Sequence, residues 1–160
     1  MSLPLPKKSA LHRLIYFSRA CAPATPYRDT MVHDILEAAV RRNTGLGVTG
    51  ALLLCRGWFV QALEGSPGAV EEVYAHLHDD PRHAGVTVIA KGPVRSREFG
   101  GWSMCGRELS AADEAILDLL ESDGGFDARA LTGRSALTLL SKVRDLQMRE
   151  AAPAKRPRRS

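Results

Sequence analysis

Val48 to Cys55 is a nearly continuous apolar run, and Trp58 to Leu63 follows it after only Arg56-Gly57. Two such runs around a Gly-containing turn predict a β-hairpin. Its residues Val60 and Ala62, like Ile15 and Phe17 of an earlier strand-like run, would be exposed if only one sheet face were covered, so the chain has to supply a layer on each face.

The flanking segments offer those layers. Leu11 to Ser18 (LHRLIYFS) reads as a strand, followed by a Pro-containing loop at Ala22 to Pro26. From Asp29 to Arg42, Met31, Val32, Ile35, Leu36, Ala39 and Val40 recur at helical spacing, with Asp29 or Thr30 as cap and Asn43, Gly45 and Gly47 as breakers. Ser66-Pro67 opens a second helix, with Val70, Val73, Tyr74 and Leu77 as its apolar stripe and a stop near Asp80-Pro81. Gly85 to Val94 and Phe99 to Cys105 read as two more strands. The expected fold is α+β: a ferredoxin-like βαββαββ sheet with strands one and three central and two helices on one face. Two C-terminal helices, Ala111 to Glu121 capped by Ser110 and Ser135 to Arg149, would cover the other face. No internal repeat is visible.

At 160 residues, one hydrophobic core with appendages is expected. The net charge of +4 is a property of the tail, because Lys155, Arg156, Arg158 and Arg159 lie in the last ten residues and the remainder is formally neutral. That distribution argues against a basic nucleic-acid groove and leaves only the tail as a route to nucleic acid or an anionic surface. Cys21, Cys55 and Cys105 are odd in number and match no metal or redox spacing, which suits a reducing cytosol. No run approaches the ~18 apolar residues of a membrane span, so a soluble cytoplasmic protein is expected.

Alternation puts Leu14, Tyr16 and Ser18 on one face of strand one, and Phe59, Gln61 and Leu63 on one face of strand three. If both faces look toward the first two helices, a phenol and an amide meet inside an apolar layer. They could merely satisfy each other, or they could serve a ligand; the pattern leaves both open. His76, Asp80 and His83, with His78, imitate a metal cluster, but Pro81 should end the helix before His83 and spoil the geometry. The loop from Arg19 to Arg28 lacks the glycines of a phosphate cradle, which argues against an acylphosphatase-like enzyme.

The segments LIYFSRA, RRNTGLGVTGALL, FVQALEG, HDDPRH and FGGWSM occur in an order and spacing that resemble BLUF domains, from Leu11 to Met104. The resemblance implies a blue-light photoreceptor, not an enzyme, with FAD held non-covalently between the two sheet-covering helices. It matches Tyr16 to the family's redox-active tyrosine, Gln61 to its switching glutamine and Asn43 to the asparagine on the flavin's pyrimidine edge. Asp80, Arg82 and His83 match a flavin-contacting D-x-R-H segment, with Arg82 near the ring carbonyls. His76 falls where some relatives carry an arginine near the phosphates, and Arg42 either reaches those phosphates or is solvated surface, the second being favoured. Trp102 and Met104 match the W-S-M segment that relays the signal, and Ser18 a residue that influences the tryptophan's placement.

The implied cycle moves an electron and a proton from Tyr16 through Gln61, whose amide rotates or tautomerises. A red-shifted absorption band that reverts in darkness would result. The expected organisation is a flexible N-terminus (1–10), the flavin-binding domain (11–106), a C-terminal helical output region (107–150) and a disordered basic tail (151–160). Only about fifty residues follow Met104, too few for an effector enzyme of ordinary size. The signal is therefore expected to pass to a separate downstream protein or through a homo-oligomer. The alternative is a BLUF-like interaction module without photoactivity.

Overall fold

A computed structural model describes residues 10–21, 28–101, 104–108 and 126–151, with only the backbone described at 28–32, 107, 108 and 151. In chain order the elements are β1 (His12–Ala20), α1 (Arg28–Leu46), β2 (Thr49–Cys55), β3 (Trp58–Gly65), α2 (Pro67–His78), β4 (His83–Pro93) and β5 (Cys105–Glu108). A short 3-10 turn (Ala128–Ala130) then leads to α3 (Gly133–Ala151).

The strands form one sheet in the order β4-β1-β3-β2-β5. The first four pair antiparallel, the ferredoxin-like order, and β5 adds parallel to β2. The β2–β3 turn has Arg56 at φ 49 and Gly57 at φ 81, positive at both central positions as a two-residue hairpin twist demands.

One sheet face presents Leu14, Tyr16, Leu52, Phe59 and Leu63 to Ile35 and Ala39 of α1 and Val70, Val73 and Leu77 of α2. The other face presents Ile15, Leu53, Val60 and Ala62 to Ala136, Leu139, Leu140 and Val143 of α3. Each fully buried side chain of this kind contributes roughly 1.5–3 kcal/mol. The sheet thus divides two half-cores, and the expectation of covered faces on both sides holds.

The end of helix one and the start of the fifth strand differ from expectation. Asn43 does not break α1, which runs to Leu46 and stops at Gly47, φ 66. There the Val48 N–H donates to the Asn43 carbonyl at 3.0 Å and the Gly47 N–H to the Thr44 carbonyl at 3.5 Å, the paired bonds of a Schellman cap. The fifth strand begins at Cys105 instead of Phe99, because the Phe99 N–H is taken by the Glu64 carboxylate at 2.8 Å and leaves the ladder. Helix two stops near Asp80-Pro81 as expected, ending at His78 with Asp79 as C-cap, after opening on Ser66, whose Oγ accepts the Ala69 N–H. The helix expected at 111–121, Trp102, and the terminal segments 1–9 and 152–160 lie outside the described residues. Among the described residues, no helix is long and apolar enough to cross a membrane.

Candidate functional site

Tyr16 of β1 and Gln61 of β3 are direct register partners on the face that looks toward α1 and α2. Both are buried, at 0% and 2% exposure, so two polar side chains have been removed from water in one apolar layer. The Tyr16 hydroxyl donates to Gln61 Oε1 in a short contact. That fixes the amide's other end: Gln61 Nε2 donates to Met104 Sδ at 3.3 Å.

A pocket opens beside Gln61, between α1 and α2. Ile35, Ala38, Ala39, Val73 and Leu77 give it apolar walls, and Arg42, Asn43, Gln61, Asp80 and Arg82 give it polar groups. Asn43 is fully buried in the last turn of α1, held there by the Schellman cap. Arg42 is half-buried and lines the pocket.

Asp80 and Arg82 stand in the turn after α2. The Arg82 guanidinium forks onto the Asp80 carboxylate, Nε to Oδ1 at 2.9 Å and Nη2 to Oδ2 at 2.6 Å, and its backbone N–H adds 2.9 Å to Oδ1. Burial alone would raise the Asp80 pKa, but the hydrogen bonds and charge of Arg82 outweigh it and hold it below the usual range. His83, 7% exposed, lies 4.5 Å from the Phe59 ring, and its Nδ1 is 2.8 Å from Ser18 Oγ. Burial lowers its pKa below 6.5, so the ring is neutral near pH 7. His83 Nε2 is buried with no hydrogen-bond partner among the described residues.

The Tyr16 phenol is pushed far above its ordinary 10.0, first by burial and then by the charge of Asp80 and by Tyr74. It therefore holds its proton tightly in the resting protein. Loss of an electron would reverse that, since an oxidised phenol is strongly acidic, and Gln61 Oε1 already waits on the proton.

The structure thus brings together Tyr16, Gln61, Met104, Asn43, Asp80 and Arg82, with Ser18 and His83 adjoining. It leaves His76 apart, exposed on α2 and absent from the pocket lining. Among the described residues, no group of three His, Cys, Asp or Glu is placed to hold a metal ion. Apolar walls with amide, guanidinium and carboxylate groups between them have the chemistry to hold an aromatic ring with carbonyl and imide edges. The uncommitted His83 Nε2 is a further polar atom available to such a ligand.

Sequence reasoning passed over Glu64. This carboxylate is fully buried and accepts from Arg13 Nε at 2.9 Å, from the Glu98 N–H at 2.9 Å and from the Phe99 N–H at 2.8 Å. The signal was present: alternation along β3 places an acid in line with Val60 and Ala62, where a charge needs dedicated partners. Arg97, also missed, donates to Thr49 Oγ1, the Glu64 carbonyl and the Gly47 carbonyl.

Residues 11–105 match the family model for BLUF, sensors of blue-light using FAD. Photoactivated adenylate cyclase subunit alpha-like protein FB of Euglena gracilis is 33% identical over 97 residues, 61% of this chain. Photoactivated adenylate cyclase subunit beta of Euglena longa is 34% identical over 110 residues, 68% of this chain. The chain spans only 9% and 12% of the length of those two proteins. The solved dark-state structure of BlrB, a BLUF protein, superposes with a TM-score of 0.69 at 30% identity, covering 86% of this chain and 97% of that one. BlsA in its photo-activated state has the same fold, with a TM-score of 0.72 at 22% identity over 83% of this chain and 94% of that one.

Proposed function

Because the chain belongs to the BLUF family of blue-light sensors using FAD, we propose that Tyr16 and Gln61 are its light-operated switch, with the flavin ring seated between α1 and α2. When bound, the flavin supplies a photoexcited oxidant able to take an electron from a nearby phenol. Asn43, Arg82 and His83 would hold the ring edges, Asp80 would keep Arg82 in position, and the Ile35, Ala39, Val73 and Leu77 walls would exclude water. His76 and Arg42 are the candidates for the phosphate end.

The observation that carries this reading is the Tyr16 hydroxyl donating to Gln61 Oε1 inside a buried layer. As its electron leaves, Tyr16 passes its proton to Gln61 Oε1; when the electron returns, the proton goes back to the phenol oxygen. Once the proton is back on the phenol oxygen, a turn of the Gln61 amide exchanges its two ends. Nε2 then faces Tyr16, and Oε1, which cannot donate, faces Met104. The bond from Gln61 Nε2 to Met104 Sδ is lost, and the pattern around the flavin changes without consuming a substrate.

The output is then a shifted conformational population, carried by Met104, Trp102, β5 and the C-terminal segment 107–150 to a separate partner or a second copy of the chain. The visible spectrum of the purified protein, before and after blue light, tests the reading. A flavin band that moves reversibly to the red is expected. A colourless protein that takes up no added FAD would overturn it in favour of an interaction module.

A further inference from the structure

The stretch between β4 and β5 is tied to β3 at two places. Near its start, the Glu64 carboxylate accepts the backbone N–H groups of Glu98 and Phe99 at 2.9 and 2.8 Å. At its end, Met104 Sδ accepts from Gln61 Nε2 at 3.3 Å. The two ties differ in kind. A buried carboxylate holding two amides and Arg13 has no second state, whereas the Met104 contact depends on which end of the Gln61 amide faces it.

Helix α3 touches both places. The Arg144 guanidinium donates to the Glu98 carbonyl at 2.6 Å and to Glu98 Oε1 at 2.8 Å, and Ser141 Oγ adds 3.2 Å to the same Oε1. Phe99 is fully buried in the half-core that α3 covers. One turn further along, Gln147 Nε2 donates to the Gly106 carbonyl of β5. Arg144 therefore reads the permanent tie, and Gln147 reads the strand that follows the switchable one.

We propose that Glu64 is a positioning residue: it makes Glu98 and Phe99 a stationary pivot, against which release of Met104 by Gln61 displaces β5, and α3 converts the difference between its Arg144 and Gln147 contacts into movement. This rests on the reading of Gln61 as the switch. Without the pivot the whole stretch would follow Met104, and the Arg144 and Gln147 contacts would move together or not at all. The acid is thus assigned to transmission, apart from the photochemistry on the other sheet face.

The test uses the full chain loaded with FAD and records two signals, the flavin red shift and the light-minus-dark change in amide hydrogen exchange along α3. Glu64→Gln leaves one acceptor oxygen where there were two, so one of the two amides is released. The expected result is a retained red shift with loss of the α3 exchange difference. Arg144→Gln, on a partly exposed side chain, should give the same split and keeps the test decisive if Glu64→Gln fails to fold. Arg144→Lys, which still donates to Glu98, should restore the difference. An undiminished α3 response with a normal red shift in Glu64→Gln, or in Arg144→Gln, overturns the proposal. A parent chain with no red shift overturns the reading of Gln61, and the pivot with it, an outcome the spectra separate from the first.

Discussion

Across the β1–β3 ladder Tyr16 and Gln61 stand directly opposite, and the phenol donates its only proton to the amide oxygen. Tyr16→Phe keeps the ring volume and removes that proton. The variant should bind flavin and show a normal dark band, yet display no reversible red shift after blue light. A full shift in Tyr16→Phe would exclude the phenol as donor.

Gln61→Ala strips the partner from the buried Tyr16 hydroxyl and from Met104 at once. An unsatisfied buried hydroxyl costs about 1–3 kcal/mol, so stability should fall by at least that order and the photoresponse should vanish. Urea unfolding followed in darkness, with the spectrum recorded alongside, checks both. Unchanged stability would mean that the pair is not buried as described.

Gly50 has no room for a side chain. A Cβ there would stand 2.0 Å from the Ala62 carbonyl oxygen and 3.1 Å from Met104 Cε. Gly50→Ala should therefore destabilise the protein by about 3 kcal/mol, at the upper end of ordinary overpacking costs. A denaturation midpoint equal to that of the parent chain would contradict the close approach of β2, β3 and Met104.

Acid should weaken the fold through His83. Burial is the main cause of its lowered pKa, with Arg82 adding to the effect and Asp80 opposing it. The unfolded chain then binds the proton more readily, so the stability linked to His83 is complete above 6.5 and is lost as pH falls through the lower folded value. Asp80, also depressed in the folded protein, adds a second loss as pH drops below 3.8. Urea midpoints between about pH 7 and about pH 5 should decline in the parent and flatten in His83→Gln, which keeps a partner for Ser18. Parallel curves would remove His83 from the account.

The period of the apolar residues was enough to give the βαββαβ order and the facing of Tyr16 and Gln61, because strand alternation and helical spacing are local properties. What escaped was decided by distant partners. Phe99 looks like the start of a strand, but its N–H is claimed by a carboxylate 35 positions earlier in the chain. Asn43 looks like a helix breaker, but the cap at Gly47 carries α1 past it. Glu64 is inconspicuous among the charged residues of the sequence and becomes conspicuous only when Arg13 and the Glu98–Phe99 amides converge on it.

The Schellman cap at Gly47 has a thermodynamic consequence for the ligand. The Asn43 backbone is fixed by the bond its carbonyl accepts from the Val48 N–H, and its side chain is fully buried. A side chain already confined by burial has less rotamer freedom to lose on association than an exposed one, for which the loss is roughly 0.5–1.5 kcal/mol. This wall of the pocket is built from bonds internal to the chain, between the last turn of α1 and the residues that follow it.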